Sequence, residues 1–150
     1  MYLNCHTSLS FRYGTLSVEE LFDQAKRCGV SKLALTEINN TASYIEMLRL
    51  CRQNEPVDGG LTRSGTPGYR LDIAVGLEFR RGNELLYVAL ARNNSGFEEL
   101  NRFASHHNAS EKAIPKKHLS SMTFMSCTRS EKSNPRCFAR SNISVFVFRI

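Results

Sequence analysis

The feature that most restricts this chain is the order in which two hydrophobic periods alternate along its first hundred residues. Tyr2-Leu3-Asn4-Cys5-His6 is a short, partly apolar run of strand length, leading into a loop through Gly14. Ser17 followed by Glu20 has the spacing of a capping box, in which each side chain satisfies an orphan backbone N–H. Val18, Leu21, Phe22 and Ala25 then recur at helical spacing, and Gly29 after Arg27 and Cys28 is a stop signal, so a helix is predicted over 17–28. Lys32-Leu33-Ala34-Leu35-Thr36 reads as a buried strand. Ile45, Leu48 and Cys51 mark one face of a second helix over 42–53. Pro56, Gly59, Gly60, Gly65, Pro67 and Gly68 make residues 55–70 a loop. Asp72 to Phe79 is a third strand, and Arg81-Gly82-Asn83 turns the chain into a fourth, Glu84 to Ala91, its hairpin partner. Phe97, Leu100 and Phe103 or Ala104 give a last helical face over 95–106.

Strand, helix, strand, helix, strand, strand, helix is the pattern of an α/β protein with a largely parallel sheet. Barrels of this class carry their chemistry at the C-terminal ends of the strands. His6, Glu37 and Glu78 each stand at such an end. Together they are candidates to ligate a divalent metal that activates water against a phosphoester. The plainer alternative is that they are polar residues where strands meet solvent. A hydrolytic centre also needs more ligands than three scattered positions supply. His106 and His107 lie past the last apolar face and read as surface residues or C-terminal caps, and His118 receives no role. Arg80-Arg81 with Arg92 could contact phosphate, although a solvated hairpin is the plainer account of them. No phosphate-cradling glycine loop, nucleophile elbow or triad spacing occurs.

Charge narrows the field further. The net +6 of the 150 residues lies wholly in 116–150; up to residue 115, basic and acidic residues balance. A basic pI is therefore no evidence of nucleic-acid binding by the part with folding signals. Five cysteines without a C-x-x-C spacing argue against a structural zinc site and for free thiols in a reducing cytoplasm. No apolar run has the length of a membrane span, and no signal peptide is expected.

Four stretches carry a resemblance: L-N-C-H-T-S-L-S-F-R-Y-G (3–14), L-A-L-T-E-I-N-N (33–40), G-L-E-F-R (76–80) and L-L-Y-V-A-L-A-R-N-N-S-G-F-E-E-L-N (85–101). In this order they resemble the opening of the bacterial DNA polymerase III alpha subunit, as in Bacteroidetes-type sequences. That opening is a polymerase-and-histidinol-phosphatase (PHP) domain. The resemblance implies a distorted (β/α)7 barrel, of which residues 1–115 would supply the first three units. Metal-binding members open with His-x-His; here Asn4 takes the first position and His6 the second. The Asp-His after the second strand is Glu37-Ile38, the Glu after the third is kept as Glu78, and a later His is replaced at about Leu86. The resemblance thus implies a vestigial metal site of His6, Glu37 and Glu78, with no cofactor expected unless that remnant still holds zinc, manganese or magnesium. It also implies a scaffold role, with the rest of the polymerase as partner, the proofreading exonuclease subunit as another, and DNA engaged only through the full-length enzyme. The polymerase palm chemistry lies far beyond residue 150 in that family.

From Lys116 the chain is rich in serine, with Glu131 its one acidic residue and no clear helical period. A disordered basic tail is one reading. The other is a change of coding frame near residue 115, since permitted codons one base back spell a strand, a Pro/Gly turn and an amphipathic helix. Three functions remain open on these grounds: a non-catalytic polymerase scaffold, a free-standing metal-dependent PHP phosphoesterase, and a small basic nucleic-acid-binding protein.

Overall fold

The computed structural model describes residues 2–57, 59–110, 113–115 and 125–126. The expected tail over 116–150, His118 included, lies outside the described residues except for Met125 and Ser126.

The elements run β1 (Tyr2–Cys5), α1 (Val18–Arg27), β2 (Lys32–Ile38), α2 (Tyr44–Asn54), β3 (Asp72–Arg81), β4 (Glu84–Leu90), α3 (Asn94–Ser110) and β5 (Met125–Ser126). They build one sheet in the order β1-β2-β3-β4-β5. The first three strands are parallel, as two β-helix-β passages require. β3 and β4 form an antiparallel hairpin, with Gly82 at φ 58° in its turn, a conformation in which glycine carries no steric penalty. β5 continues antiparallel beside β4.

The predicted capping box is present: Glu20 donates its backbone N–H to Ser17 Oγ at 3.2 Å, and Ser17 N–H donates to the Glu20 carboxylate at 2.8 Å. α3 is longer than its apolar face suggested, running on to Ser110. Its start is held by Asn93, whose side chain accepts from the Gly96 N–H at 2.9 Å. The 55–70 segment has no helix or named strand but carries a Leu61–Pro67 bridge, with Thr62 buried beneath it.

Period-two alternation divides the sheet into two unlike faces. The outer face packs on the helices: Leu33 and Leu35 meet Val18, Phe22 and Met47, while Leu77, Phe79, Tyr87 and Ala89 meet Leu100 and Phe103. Phe79 is fully buried, its ring edge-on to Phe103 at 5.3 Å. Truncating it to alanine would cost about 3–5 kcal/mol. The inner face is built of smaller residues, with Ala34, Ala74 and Leu90 in one cluster. Gly76 belongs to it because a Cβ there would come within 2.2 Å of the Ala89 carbonyl oxygen. At the C-terminal ends of β1, β2 and β3, this inner face turns polar.

Candidate functional site: a carboxylate at the strand ends

Register decides which strand-end residues can meet. β2 and β3 pair Thr36 with Gly76, Glu37 with Leu77 and Ile38 with Glu78. Glu78 therefore shares the inner face with Thr36 and Ile38, while Glu37 shares the outer face with Leu77. The structure brings His6 and Glu78 together and leaves Glu37 apart from them.

Glu78 is buried and receives partners from three directions. Asn4 Nδ2 donates to its Oε2 at 2.8 Å, Arg80 Nε donates to its Oε1, and His6 Nε2 lies 3.2 Å from Oε2. The His6 contact has ion-pair distance without the alignment of a hydrogen bond. Asn4 also accepts from Thr36 Oγ1, so its amide links Thr36 of β2 through β1 to Glu78 of β3. Burial by itself would raise the Glu78 carboxyl, but the nearby His6 ring and the hydrogen bonds from Asn4 and Arg80 outweigh it and bring it down to about 2. Glu78 is thus a permanent anion at neutral pH.

Glu37 is just as buried, in a separate nest. Its Oε1 accepts from the Thr7 N–H at 3.0 Å and from Thr7 Oγ1 at 2.6 Å, and its Oε2 accepts from Ser10 Oγ. Ser10 Oγ in turn accepts from the Ile38 N–H at 2.9 Å. Both Glu37 oxygens are committed to folding the segment after β1 back over β2. Gly14 closes that fold, for a Cβ there would sit 1.8 Å from the Thr7 carbonyl oxygen.

Arg80, read from the sequence as phosphate-binding or solvated, is neither free nor well solvated. Its guanidinium lies 4.2 Å from the centre of the Tyr13 ring, and Nη1 donates to Tyr13 Oη at 3.0 Å and to the Asn83 carbonyl at 3.2 Å. Arg81 donates instead to the Ile114 carbonyl. His107 sits within α3, its ring 4.1 Å from that of Phe103. The β4 residue opposite Glu78 is Val88, whereas Leu86 packs toward the outer cluster.

Sequence reasoning missed Asn39. At φ 53° it adopts the left-handed conformation that asparagine tolerates better than most residues. Its side chain clamps the Arg80 backbone, accepting from the N–H at 3.0 Å and donating to the carbonyl at 3.1 Å. The Asn-Asn pair after an apolar run was the only available signal.

The donor set of the described residues does not fit a multi-metal centre. Among the described residues no three His, Cys, Asp or Glu side chains converge. Ile38 and Val88, flanking Glu78 across the sheet, have no donor atoms, and a guanidinium already binds one carboxylate oxygen. Among the described residues, Cys5, Cys28 and Cys51 are free thiols, and no helix is long and apolar enough to cross a membrane.

The chain is similar to an error-prone DNA polymerase of Xanthomonas axonopodis pv. citri, with 33% identity over 98 residues, 65% of this chain and 8% of that protein. Error-prone DNA polymerases of Xanthomonas oryzae pv. oryzae and Xanthomonas campestris pv. campestris match over the same length at 32% and 33% identity. The chain spans about 8% of the length of these curated relatives. The PHP domain model matches residues 3–131. With that match over most of its length, and with parallel β-helix-β units that form part of a (β/α) barrel, the chain belongs to the PHP domain family.

Proposed function

We propose that this chain is an N-terminal PHP-domain portion of a DNA polymerase III alpha-type replicative polymerase, acting as a non-catalytic scaffold. The observation that carries this reading is the surroundings of Glu78. Asn4, Ile38 and Val88 surround Glu78 without offering a His or carboxylate, and among the described residues His6 with Glu78 is the convergent donor pair. Two side chains cannot hold two ions and leave an open position for water. The likeness to error-prone polymerases supports the polymerase context.

In this reading the partners are the remainder of the polymerase and its proofreading exonuclease subunit, in the cytoplasm, and DNA is met only through the full-length enzyme. The reading of 116–150 as out-of-frame belongs to the same proposal. The nucleotide sequence past codon 115 tests it directly.

The functional test is metal content and phosphoesterase turnover of the purified chain, with zinc, manganese or magnesium supplied. The expected result is substoichiometric metal and no turnover above buffer. Turnover abolished by His6→Ala or Glu78→Ala would establish the alternative, a free-standing phosphoesterase.

A further inference from the structure

A buried carboxylate needs a nearby positive charge, because desolvating an unpaired anion costs several kcal/mol. Beside Glu78 the Arg80 guanidinium is in place to supply that charge. The Arg80 side chain is 15% exposed. Its Nε is spent on Glu78, its Nη1 on Tyr13 and the Asn83 carbonyl, and its flat face on the Tyr13 ring. Asn39 fixes its backbone from the end of β2. Tyr13 is itself positioned, since its backbone N–H donates to the Ser10 carbonyl and Ser10 is anchored on Glu37. Partners from its own hairpin and from the loop after β1 thus converge on one side chain, unlike the single contacts of Arg70 or Arg102.

We propose that Arg80 is the resident cation of this domain: its guanidinium neutralises Glu78 in place of a metal ion and makes the inner end of the sheet metal-independent. The proposal deepens the scaffold reading and rests on it in one respect, that no ion is needed for folding. Its physical consequence is specific. Removing the guanidinium leaves Glu78 buried beside His6 Nε2, which has no aligned hydrogen-bond partner, and so exposes a two-donor site for a divalent ion.

The test is a double-mutant cycle in the full 150-residue chain, read as urea midpoints in EDTA and with added Zn²⁺ or Mn²⁺. Arg80→Met is expected to lower the midpoint, and Glu78→Gln combined with Arg80→Met to recover at least half the loss. Added Zn²⁺ or Mn²⁺ should raise the melting temperature of Arg80→Met by about 3 °C or more, by binding the folded state. Wild type and the double variant should not respond. If Arg80→Met does not fold, the double variant must fold for the proposal to stand. The idea is overturned if the double variant is no more stable than Arg80→Met, if no metal stabilises Arg80→Met, or if wild type gains as much from metal. Phosphoesterase turnover by wild type would sink the scaffold reading without changing the sign of this cycle, so the two failures are separable.

Discussion

Glu37 and Glu78 end neighbouring parallel strands but face opposite sides of the sheet, because β2 and β3 pair Ile38, not Glu37, with Glu78. One carboxylate folds a loop and the other anchors an arginine. They therefore lie on opposite faces of the sheet and hold different partners.

Glu37 should therefore behave as a structural residue. Glu37→Ala would strand the Thr7 N–H, Thr7 Oγ1 and Ser10 Oγ, all buried donors. Each unsatisfied buried group costs about 1–3 kcal/mol, so a loss of roughly 2–4 kcal/mol is expected after partial relaxation. Urea unfolding checks the size. Limited proteolysis should cut residues 7–16 first in the variant, and an unchanged cleavage pattern would contradict the anchoring role.

The elements were legible where local chemistry is self-sufficient. The capping box and the Val18, Phe22, Ala25 stripe define α1 without help from the rest of the chain. The apolar runs of β2 and β3 are equally plain. Side-chain direction was not legible, because a face is set by register between strands that lie about forty residues apart. The partnership of Arg80 with Tyr13 spans 67 positions and leaves no local trace. The end of α3 was hidden for another reason: Ser105 to Ser110 contains no strong apolar signal, and His107 joins the core side only by lying against Phe103. A strand as short as β5 has no period to read.

Asn39 offers a second test of long-range fixation. Its amide makes both bonds to the Arg80 backbone, and its φ of 53° is unfavourable for L-residues, such as alanine, that lack asparagine's short polar side chain. Asn39→Ala should lower stability by about 1–3 kcal/mol through two lost hydrogen bonds and a strained backbone. Asn39→Gly should lose less, since glycine relieves the strain but not the bonds. Equal midpoints for the two variants would show that the conformation contributes nothing.

Acid should unfold the chain partly through Glu78. Its carboxyl is held near 2 in the folded state against an ordinary value of 4.5. The folded state therefore binds this proton less readily than the unfolded chain does. The stabilisation it contributes is fully present above about 4.5 and is lost as pH falls toward about 2. Urea midpoints measured from pH 6 down to about pH 2 should fall steeply in wild type, and less steeply in Glu78→Gln, which has no proton to take up there. Parallel slopes for the two proteins would assign the acid sensitivity to other carboxylates.

The last prediction concerns what would build a metal centre beside Glu78. Replacing Asn4 and Ile38 with histidine adds nitrogen donors beside His6 and Glu78, on the inner face where register places them. If ligands alone were missing, Asn4→His with Ile38→His would bind Zn²⁺ well. Arg80 changes that expectation, because its guanidinium would still hold one oxygen of Glu78 and repel an incoming dication. The double-histidine chain should bind Zn²⁺ weakly, and adding Arg80→Met should tighten binding at least tenfold, or about 1.4 kcal/mol. Calorimetric titration of both variants at one pH measures the ratio. Equal affinities would mean that Arg80 does not compete with an ion for Glu78.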